Sequence, residues 1–413
     1  MGESIQREKT IIVGTEDNGD LEELCNLVWS AGGQVVNRLY RRKEKPEPAY
    51  FLGEGKLREL KSLLREEQIR LVVFDDELTP VQAGNLEEEL QVKVLDRTGL
   101  ILDIFAMRAR TREAKLQVEK AQLEYLLPRL EGQGTSLSRL AGGIGTRGPG
   151  ETKLESDRRR IRKKIALLNK RLKQVKAHRE LQREPRKRLD WPVLALVGYT
   201  NAGKSTLFSL LTGDEVLVQD LLFSTLDPTF RRIILPNQQE ALLVDTVGFI
   251  RKLPHQLVDS FRATLEEVKE ADLLLHVVNL ASSEREEEYM AVNNLLKELN
   301  LERKPFITVL NKKDLVTNEF SIARAERNFP NAVSISAQKG SNIEQLQKKI
   351  MEALSSRVDR GIFFLPYQDG KYISIFHNKG RIYRKDFGDS GVYIDAELPV
   401  IWFERLRKFK IQL

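Results

Sequence analysis

Near the middle of the chain, eight consecutive residues have the types and the spacing, G-x-x-x-x-G-K-S, of a loop that holds phosphate groups. The amides of such a loop, and of the helix after it, offer hydrogen bonds and partial positive charge to phosphate oxygens. Lys204 would reach the outer phosphates, and the hydroxyl group of Ser205 would hold a magnesium ion. The candidate phosphate residues are Gly198, Tyr199, Thr200, Asn201, Ala202, Gly203, Lys204, Ser205 and Thr206.

A second motif that suits phosphate and metal follows the apolar run at residues 241–244. An aspartate at the end of a strand can orient Mg²⁺, and the amide of the glycine three residues later can meet a terminal phosphate. We therefore count Gly248, with Lys204, as catalytic. The motif comprises Asp245, Thr246, Val247 and Gly248.

Two further motifs point to the base of the nucleotide. The carboxylate of Asp314 is a pair of acceptors that matches the two donors on the N1 and N2 edge of guanine. Adenine lacks these donors and would leave a buried carboxylate unpaired, which is costly. The order of all four motifs therefore predicts GTP or GDP with Mg²⁺. The base motifs are Asn311, Lys312, Lys313 and Asp314, then Ser336, Ala337 and Gln338, which suit a backbone contact to the base oxygen.

The elements around these motifs indicate an α/β chain of several domains. Residues 10–107 alternate strand and helix signals, which is typical of a small parallel α/β domain. Apolar residues seven apart predict two long helices, over residues 98–130 and 153–177, that pack as an antiparallel hairpin. We predict these domains: 1–107 N-terminal α/β; 108–180 helical hairpin with a glycine-rich tip; 181–190 linker; 191–357 nucleotide-binding G domain; 358–413 small α+β domain.

The hairpin also carries the residue types of an RNA-binding surface. Its connector, residues 131–150, is rich in glycine, and its second helix is crowded with arginine and lysine but has few acidic residues. Small residues and guanidinium groups allow close approach to RNA phosphates and bases. The alternatives are a tip without a ligand and an ordinary solvated helix face. The candidate RNA residues are Arg139, Arg147, Lys153, Arg158, Arg159, Arg162 and Lys163.

Composition narrows the class of protein further. The 413 residues carry a net charge of +7, which suits a polyanionic partner such as RNA. No apolar run approaches the roughly 20 residues that span a bilayer, and the first residues lack a signal-peptide core. The single cysteine, Cys25, has no internal disulfide partner and sits at core spacing. We expect a cytoplasmic protein without a membrane span, and a monomer.

The amino-acid sequence of several segments resembles that of the HflX family, within the translational GTPases of the Era and Obg type. The resemblance rests on the phosphate loop, on residues 223–229 with the sequence FSTLDPT, and on segments outside the G domain at 51–56, 96–98 and 142–151. It implies that Thr225 is the threonine of the first switch, which completes the magnesium site and touches the terminal phosphate, with Thr229 as the rival. We therefore count Thr225 as catalytic and metal-binding, and we place Phe223, Ser224, Leu226 and Asp227 at the nucleotide site.

The resemblance also implies a function. HflX-like proteins are GTPases that bind the large ribosomal subunit, chiefly its rRNA, and split stalled or idle ribosomes, in some cases those stalled by stress or antibiotics. The first alternative is a checkpoint GTPase that binds precursor rRNA during ribosome assembly. The second is an ATP-driven RNA remodeller, against which Asp314 argues because adenine lacks the matching donors.

One residue of the second switch bears on the mechanism. In Ras-like enzymes a glutamine follows the DxxG motif and orients the attacking water. Here that position is Phe249, whose phenyl ring has no group that could hydrogen-bond and orient water. We therefore expect slow hydrolysis by the protein alone. A partner would have to position the water, supply charge, or order a residue such as His255.

Overall fold

The computed structural model describes residues 7–15, 21–41, 46–138, 149–189, 191–213, 222–223, 225–251, 262–355 and 358–411. The chain forms two compact units. Unit 1 contains Met1–Glu180, Gln219–Asp227 and Lys252–Arg262, and unit 2 contains Leu181–Val218, Pro228–Arg251 and Ala263–Leu413. Among the described residues, no helix has the length and apolarity that a membrane crossing requires.

Unit 1 begins with a parallel four-stranded sheet in the order β2-β1-β3-β4. Its apolar core includes Ile11, Val72 and Phe74, which are fully buried. This confirms the α/β prediction for the N-terminal part. The elements are β1 Glu8–Thr15, α1 Glu22–Ser30, β2 Gly33–Arg41, α2 Glu54–Glu66, β3 Leu71–Phe74, α3 Pro80–Leu90 and β4 Lys93–Asp96.

The first long helix of the predicted hairpin is in fact two helices, α4 Arg97–Arg108 and α5 Arg112–Ser138. The prediction of one helix over residues 98–130 was therefore wrong. Thr111 caps the second helix, because its Oγ1 accepts a hydrogen bond from the amide of Ala114 at 3.1 Å. Asp227 stabilises the break between these two helices, since its Oδ2 accepts hydrogen bonds from the amides of Arg110 and Thr111 at 3.0 Å each.

The second long helix, α6 Pro149–Leu189, extends beyond the predicted limits at both ends and includes most of the predicted linker. Lys164 of α6 pairs with Glu119 of α5 at 2.6 Å, so the two helices lie side by side there. The predicted apolar seam is correct for its described members. Ile161, Ile165, Leu172 and Val175 are half-buried and Leu168 is fully buried, while most other side chains between 155 and 177 are exposed.

Unit 2 contains a six-stranded sheet in the order β10-β9-β8-β5-β7-β6, parallel except for β6. Loops at the carboxyl edge of such a sheet converge on one site, and here they are the loops after β5, β7, β9 and β10. The elements are β5 Val193–Gly198, α7 Lys204–Thr212, β6 Thr229–Ile234, β7 Glu240–Asp245, α8 Arg262–Glu270, β8 Leu273–Asn279, α9 Arg285–Glu298, β9 Phe306–Asn311, α10 Glu319–Asn328, β10 Ala332–Ser334 and α11 Ile343–Ala353.

A small antiparallel sheet, in the order β11-β13-β12, ends the chain and packs around Phe363, Phe376 and Phe403. This agrees with the predicted α+β class of the C-terminal part. The exact domain boundaries stay a prediction. The elements are β11 Val358–Pro366, α12 Ile373–Lys379, β12 Arg381–Phe387, β13 Gly391–Pro399 and α13 Val400–Arg405.

Candidate nucleotide-binding site

The phosphate loop joins β5 to α7, and its shape depends on two glycines with positive φ. Gly198 has φ 153°, and a Cβ atom there would lie 2.2 Å from the carbonyl oxygen of Val277. Gly203 has φ 91°, and a Cβ atom there would lie 2.2 Å from Nδ2 of Asn311. L-residues with side chains rarely adopt such φ values, so glycine is required at both ends of the loop.

Lys204, the first residue of α7, is held in place by the loop itself. Its Nζ donates hydrogen bonds to the carbonyl oxygens of Gly198 at 3.0 Å and Tyr199 at 2.8 Å. A lysine ammonium has three donors, so the third proton can point to a phosphate. The side chain is almost fully buried. Burial lowers the pKa of Lys204 to about 8, and the charge of Asp245 partly opposes this shift.

Ser205 and Asp245 form the part of the site that fits a magnesium ion. The hydroxyl group of Ser205 donates to Oδ2 of Asp245 at 2.9 Å. A hydroxyl and a carboxylate oxygen at this spacing are hard oxygen ligands, which Mg²⁺ prefers. Thr246 fixes the end of β7, since its Oγ1 donates to the carbonyl oxygen of Leu196 at 2.5 Å. The two predicted phosphate motifs therefore meet, and Ser205 has a geometry that suits its predicted role.

The base motifs are joined to the phosphate loop through Asn311. Its Nδ2 donates to the carbonyl oxygen of Ala202 at 3.0 Å, and its Oδ1 accepts from the amide of Ala337 at 2.9 Å. Its side chain is 2% exposed. One amide group thus fixes the phosphate loop and the loop after β10 relative to each other.

Asp314 lies in a short 3-10 helix after β9 and is positioned from the loop after β10. Ser336 donates its hydroxyl proton to Oδ1 of Asp314 at 2.6 Å, and the same Oγ accepts from the amide of Lys339 at 3.1 Å. This arrangement orients the carboxylate for a pair of donors on guanine. Lys312 has φ 63°, and its Nζ lies 3.4 Å from Oδ1 of Asn201. The amide of Lys313 donates to the carbonyl oxygen of Ile335, in the loop after β10, at 3.0 Å. The side chain of Gln338 is exposed.

The segment after the DxxG motif lies against the phosphate loop. The amide of Phe249 donates to the carbonyl oxygen of Gly198 at 3.1 Å, and its carbonyl oxygen accepts from the amide of Thr200 at 2.7 Å. The ring of Phe249 is buried. A buried phenyl ring offers no group that could orient water, so the expectation of slow hydrolysis by the protein alone stays a prediction with a structural basis.

The residues assigned to the first switch make their described contacts within unit 1. Phe223 is 2% exposed and packs edge to face on Phe105, with ring centroids 4.8 Å apart. The amide of Leu222 donates to Oγ of Ser30 at 2.9 Å, and Asp227 also accepts from the hydroxyl of Thr111. The nucleotide roles of Phe223, Thr225, Leu226 and Asp227 therefore remain predictions. Ser224 and His255 lie outside the described residues.

The structure places the RNA candidates only in part. Arg159, Arg162 and Lys163 are exposed on α6, and Arg158 is half-buried there. Lys153 belongs to the same helix, but its side chain is not among those described. Arg139 and Arg147 lie outside the described residues.

Three family models match consecutive parts of the chain: "GTP-binding GTPase N-terminal" at residues 18–106, "GTP-binding GTPase Middle Region" at 108–186, and "50S ribosome-binding GTPase" at 193–312. A protein named GTPase HflX from Caldanaerobacter subterraneus is 47% identical over 401 residues, which cover 97% of this chain and 92% of the relative. The chain belongs to the HflX family of GTPases. The HflX protein of Escherichia coli is 45% identical over 395 residues, or 95% of this chain and 93% of the relative.

A solved structure is also similar to this chain, at lower identity. The protein SsGBP, in a complex with GDP, aligns with 84% of this chain and 99% of its own length, at 29% identity and a TM-score of 0.50. As a member of the HflX family, this protein hydrolyses GTP and binds GTP and GDP with Mg²⁺. The sequence-based predictions of family, enzyme class and cofactors are thereby confirmed.

Sequence reasoning missed the contacts that arrange these motifs relative to one another. Tyr199 was counted only as one member of the phosphate loop, yet its hydroxyl oxygen accepts a hydrogen bond from the amide of Arg251 at 2.9 Å. Neither residue belongs to a periodic pattern that would connect them. The contacts of Ser30 and Phe105 with residues 222–223 also lack any local signal in the sequence.

Proposed function

We propose that this GTPase binds the large ribosomal subunit through unit 1 and dissociates stalled or idle ribosomes in the cytoplasm. In this proposal the protein acts as a monomer, GTP favours the ribosome-bound form, and hydrolysis allows release. Binding energy alone can displace the other subunit, so splitting need not consume GTP. The family model that matches the G domain is described as a ribosome-binding GTPase, which supports the first step.

The observation that carries the proposal is the charge of helix α6. Between residues 155 and 177 the helix has ten arginine and lysine residues and two acidic residues, which gives a net charge of +8. Because the whole chain carries +7, the remainder carries −1. The side chains of this stretch are mostly exposed outside the apolar seam. A cationic stripe on one helix of a chain that is otherwise nearly neutral is the electrostatic pattern of a phosphate-binding surface.

A second observation supports coupling between ribosome binding and nucleotide binding. Residues 222, 223 and 227 make contacts within unit 1, with Ser30, Phe105 and Thr111. The chain on both sides of this segment belongs to unit 2. A partner that displaced α1, α4 or the start of α5 would change the contacts of the first switch. In this proposal residues 223–227 contact the nucleotide, so such a partner would change nucleotide binding, and nucleotide would change affinity for the partner by the same factor.

Co-sedimentation with purified large subunits tests the binding step. We expect the triple variant Arg159→Glu, Arg162→Glu, Lys163→Glu to lose at least about tenfold in affinity, and the wild-type affinity to fall steeply with salt. The matched control reverses three exposed cations of unit 2, in Lys297→Glu, Arg324→Glu, Arg327→Glu. If both variants bound large subunits equally well, the proposed role of α6 in this binding would be refuted.

The splitting step needs a separate experiment. Light scattering of intact ribosomes should fall when the protein is added with GTP or a GTP analogue that is not hydrolysed, and it should not fall with GDP. If the GTP-locked form binds ribosomes no better than the GDP form, the mechanism fails. Binding to immature subunits alone would replace this proposal with the assembly-checkpoint alternative.

A further inference from the structure

The segment Gly248–Arg251 forms an extra rung along the phosphate loop, next to the end of β5. Phe249 exchanges two backbone hydrogen bonds with the loop, at 3.1 Å to Gly198 and 2.7 Å from Thr200. Two residues further on, the amide of Arg251 donates to the hydroxyl oxygen of Tyr199 at 2.9 Å. We call these contacts the closed rung.

The closed rung leaves little room for a third phosphate. A Cβ atom added to Gly248 would lie 2.7 Å from Cγ2 of Thr200, 2.9 Å from its Cα and 3.1 Å from Nζ of Lys204. The gap between Gly248 and these two residues is therefore narrower than one methyl group. A terminal phosphoryl group is larger than a methyl group, and it must meet both the lysine and the Gly248 amide.

The rung also occupies a donor of the phosphate loop, because the amide of Thr200 is bonded to the carbonyl oxygen of Phe249. That donor is withheld from either nucleotide, but only GTP needs room beside Gly248, so GTP requires residues 248–251 to withdraw from the loop. GDP has no third phosphate and makes no demand on the Gly248 amide. The closed rung thus distinguishes the two nucleotides, and the residues that hold it closed influence which nucleotide is preferred.

Two side-chain groups hold the far end of the rung. The tyrosine is almost fully buried, so its hydrogen bond to Arg251 is shielded from water. The guanidinium group of Arg251 pairs with Glu284 at 2.5 Å and Glu287 at 3.1 Å. The two glutamates are well exposed, so these ion pairs stabilise the closed rung less than the hydrogen bond from the Arg251 amide to Tyr199 does.

We propose that Tyr199 is a specificity-determining residue that holds the DxxG segment closed on the phosphate loop and so favours GDP over GTP. It acts through Arg251 and Phe249 and is a positioning residue. Opening of the rung would make room for the third phosphate beside the Gly248 amide. Loss of the hydroxyl group should therefore raise GTP affinity relative to GDP affinity.

Competition titrations with Mg²⁺, GDP and a GTP analogue that is not hydrolysed test this directly. Tyr199→Phe should lower the ratio of the Kd for the GTP analogue to the Kd for GDP about fivefold, which corresponds to one buried hydrogen bond of about 1 kcal/mol. The matched control is Tyr289→Phe, a half-buried tyrosine of α9 that packs on His276, and its ratio should equal that of the wild type.

A second variant protects the test against a folding defect. The double variant Glu284→Gln, Glu287→Gln keeps the tyrosine and weakens only the hold on Arg251, so its ratio should move in the same direction by about twofold. An unchanged ratio in both variants would overturn the proposal. Equal loss of GDP and GTP affinity in Tyr199→Phe would also overturn it, because that result would mean that Tyr199 only stabilises the loop.

Discussion

Replacement of Asn311 by alanine should weaken nucleotide binding far more than the loss of one surface amide. In the folded protein this side chain bridges two loops, with one hydrogen bond to Ala202 at 3.0 Å and one from Ala337 at 2.9 Å. Both partners are backbone groups of almost fully buried residues. Alanine would leave the carbonyl oxygen of Ala202 and the amide of Ala337 without these bonds.

The magnitude follows from the cost of buried groups without partners. A buried backbone group that loses its hydrogen bond costs about 1–3 kcal/mol. Two such groups cost about 2–6 kcal/mol. Water that enters the gap would hydrogen-bond to them and replace part of the lost bonding, so we take about 3 kcal/mol, in the lower half of this range. About 1.4 kcal/mol corresponds to tenfold in affinity. A cost of about 3 kcal/mol in the GDP-bound protein therefore predicts that GDP affinity falls about a hundredfold.

Isothermal titration of GDP with Mg²⁺ measures this loss, and thermal unfolding measured in parallel gives the effect on stability. Asn318→Ala is the matched control, because Asn318 is an exposed cap of α10 whose Oδ1 accepts from the amide of Phe320. It should lose about 1 kcal/mol of stability with GDP affinity unchanged. If Asn311→Ala bound GDP within about threefold of the wild type, the bridging role would be refuted.

Three further changes test two residues of the site and one buried histidine of β8. Asp314→Asn should weaken the binding of GDP at least about tenfold and strengthen the binding of xanthosine diphosphate. The new amide donor would face an acceptor on that base, while Ser336 keeps its hydrogen bond to the side-chain oxygen. Competition titration measures both affinities. Ser205→Ala should lose about 10–150-fold in GDP affinity with Mg²⁺ and should respond less than the wild type to a chelator, which nucleotide release rates would show. Burial, with a smaller effect of the Lys204 charge, lowers the pKa of His276 to about 3. The unfolded chain, with a pKa near 6.5, therefore takes up this proton first as the pH falls, and stability is lost by about 1.4 kcal/mol per pH unit between pH 6.5 and 3. In His276→Leu, denaturant unfolding from pH 7 to 4.5 should show a smaller pH dependence than in the wild type.

The sequence was sufficient for the features that depend on local spacing. Glycines and a lysine at fixed offsets specify the phosphate loop, and alternating apolar runs specify the sheets, because both are set within a few residues. The basic face of α6 was likewise visible, since the charges and the apolar seam lie on one continuous helix.

The features that the sequence did not predict depend on contacts between distant residues. The break at Ala109, Arg110 and Thr111 involves Asp227, more than a hundred residues away, and the apolar spacing continues across it. The contact between Tyr199 and Arg251 joins residues 52 positions apart. No local propensity encodes such pairs, so helix periodicity alone predicted one helix where tertiary contacts favour two.

We propose that the large ribosomal subunit activates this GTPase, because its own second switch has Phe249 in place of a residue that could orient water. Steady-state GTP turnover by the purified protein tests it most directly, measured alone, with small subunits and with large subunits. We expect slow turnover by the protein alone, little change with small subunits, and a strong increase with large subunits. Fast turnover alone, or no response to large subunits, would contradict it.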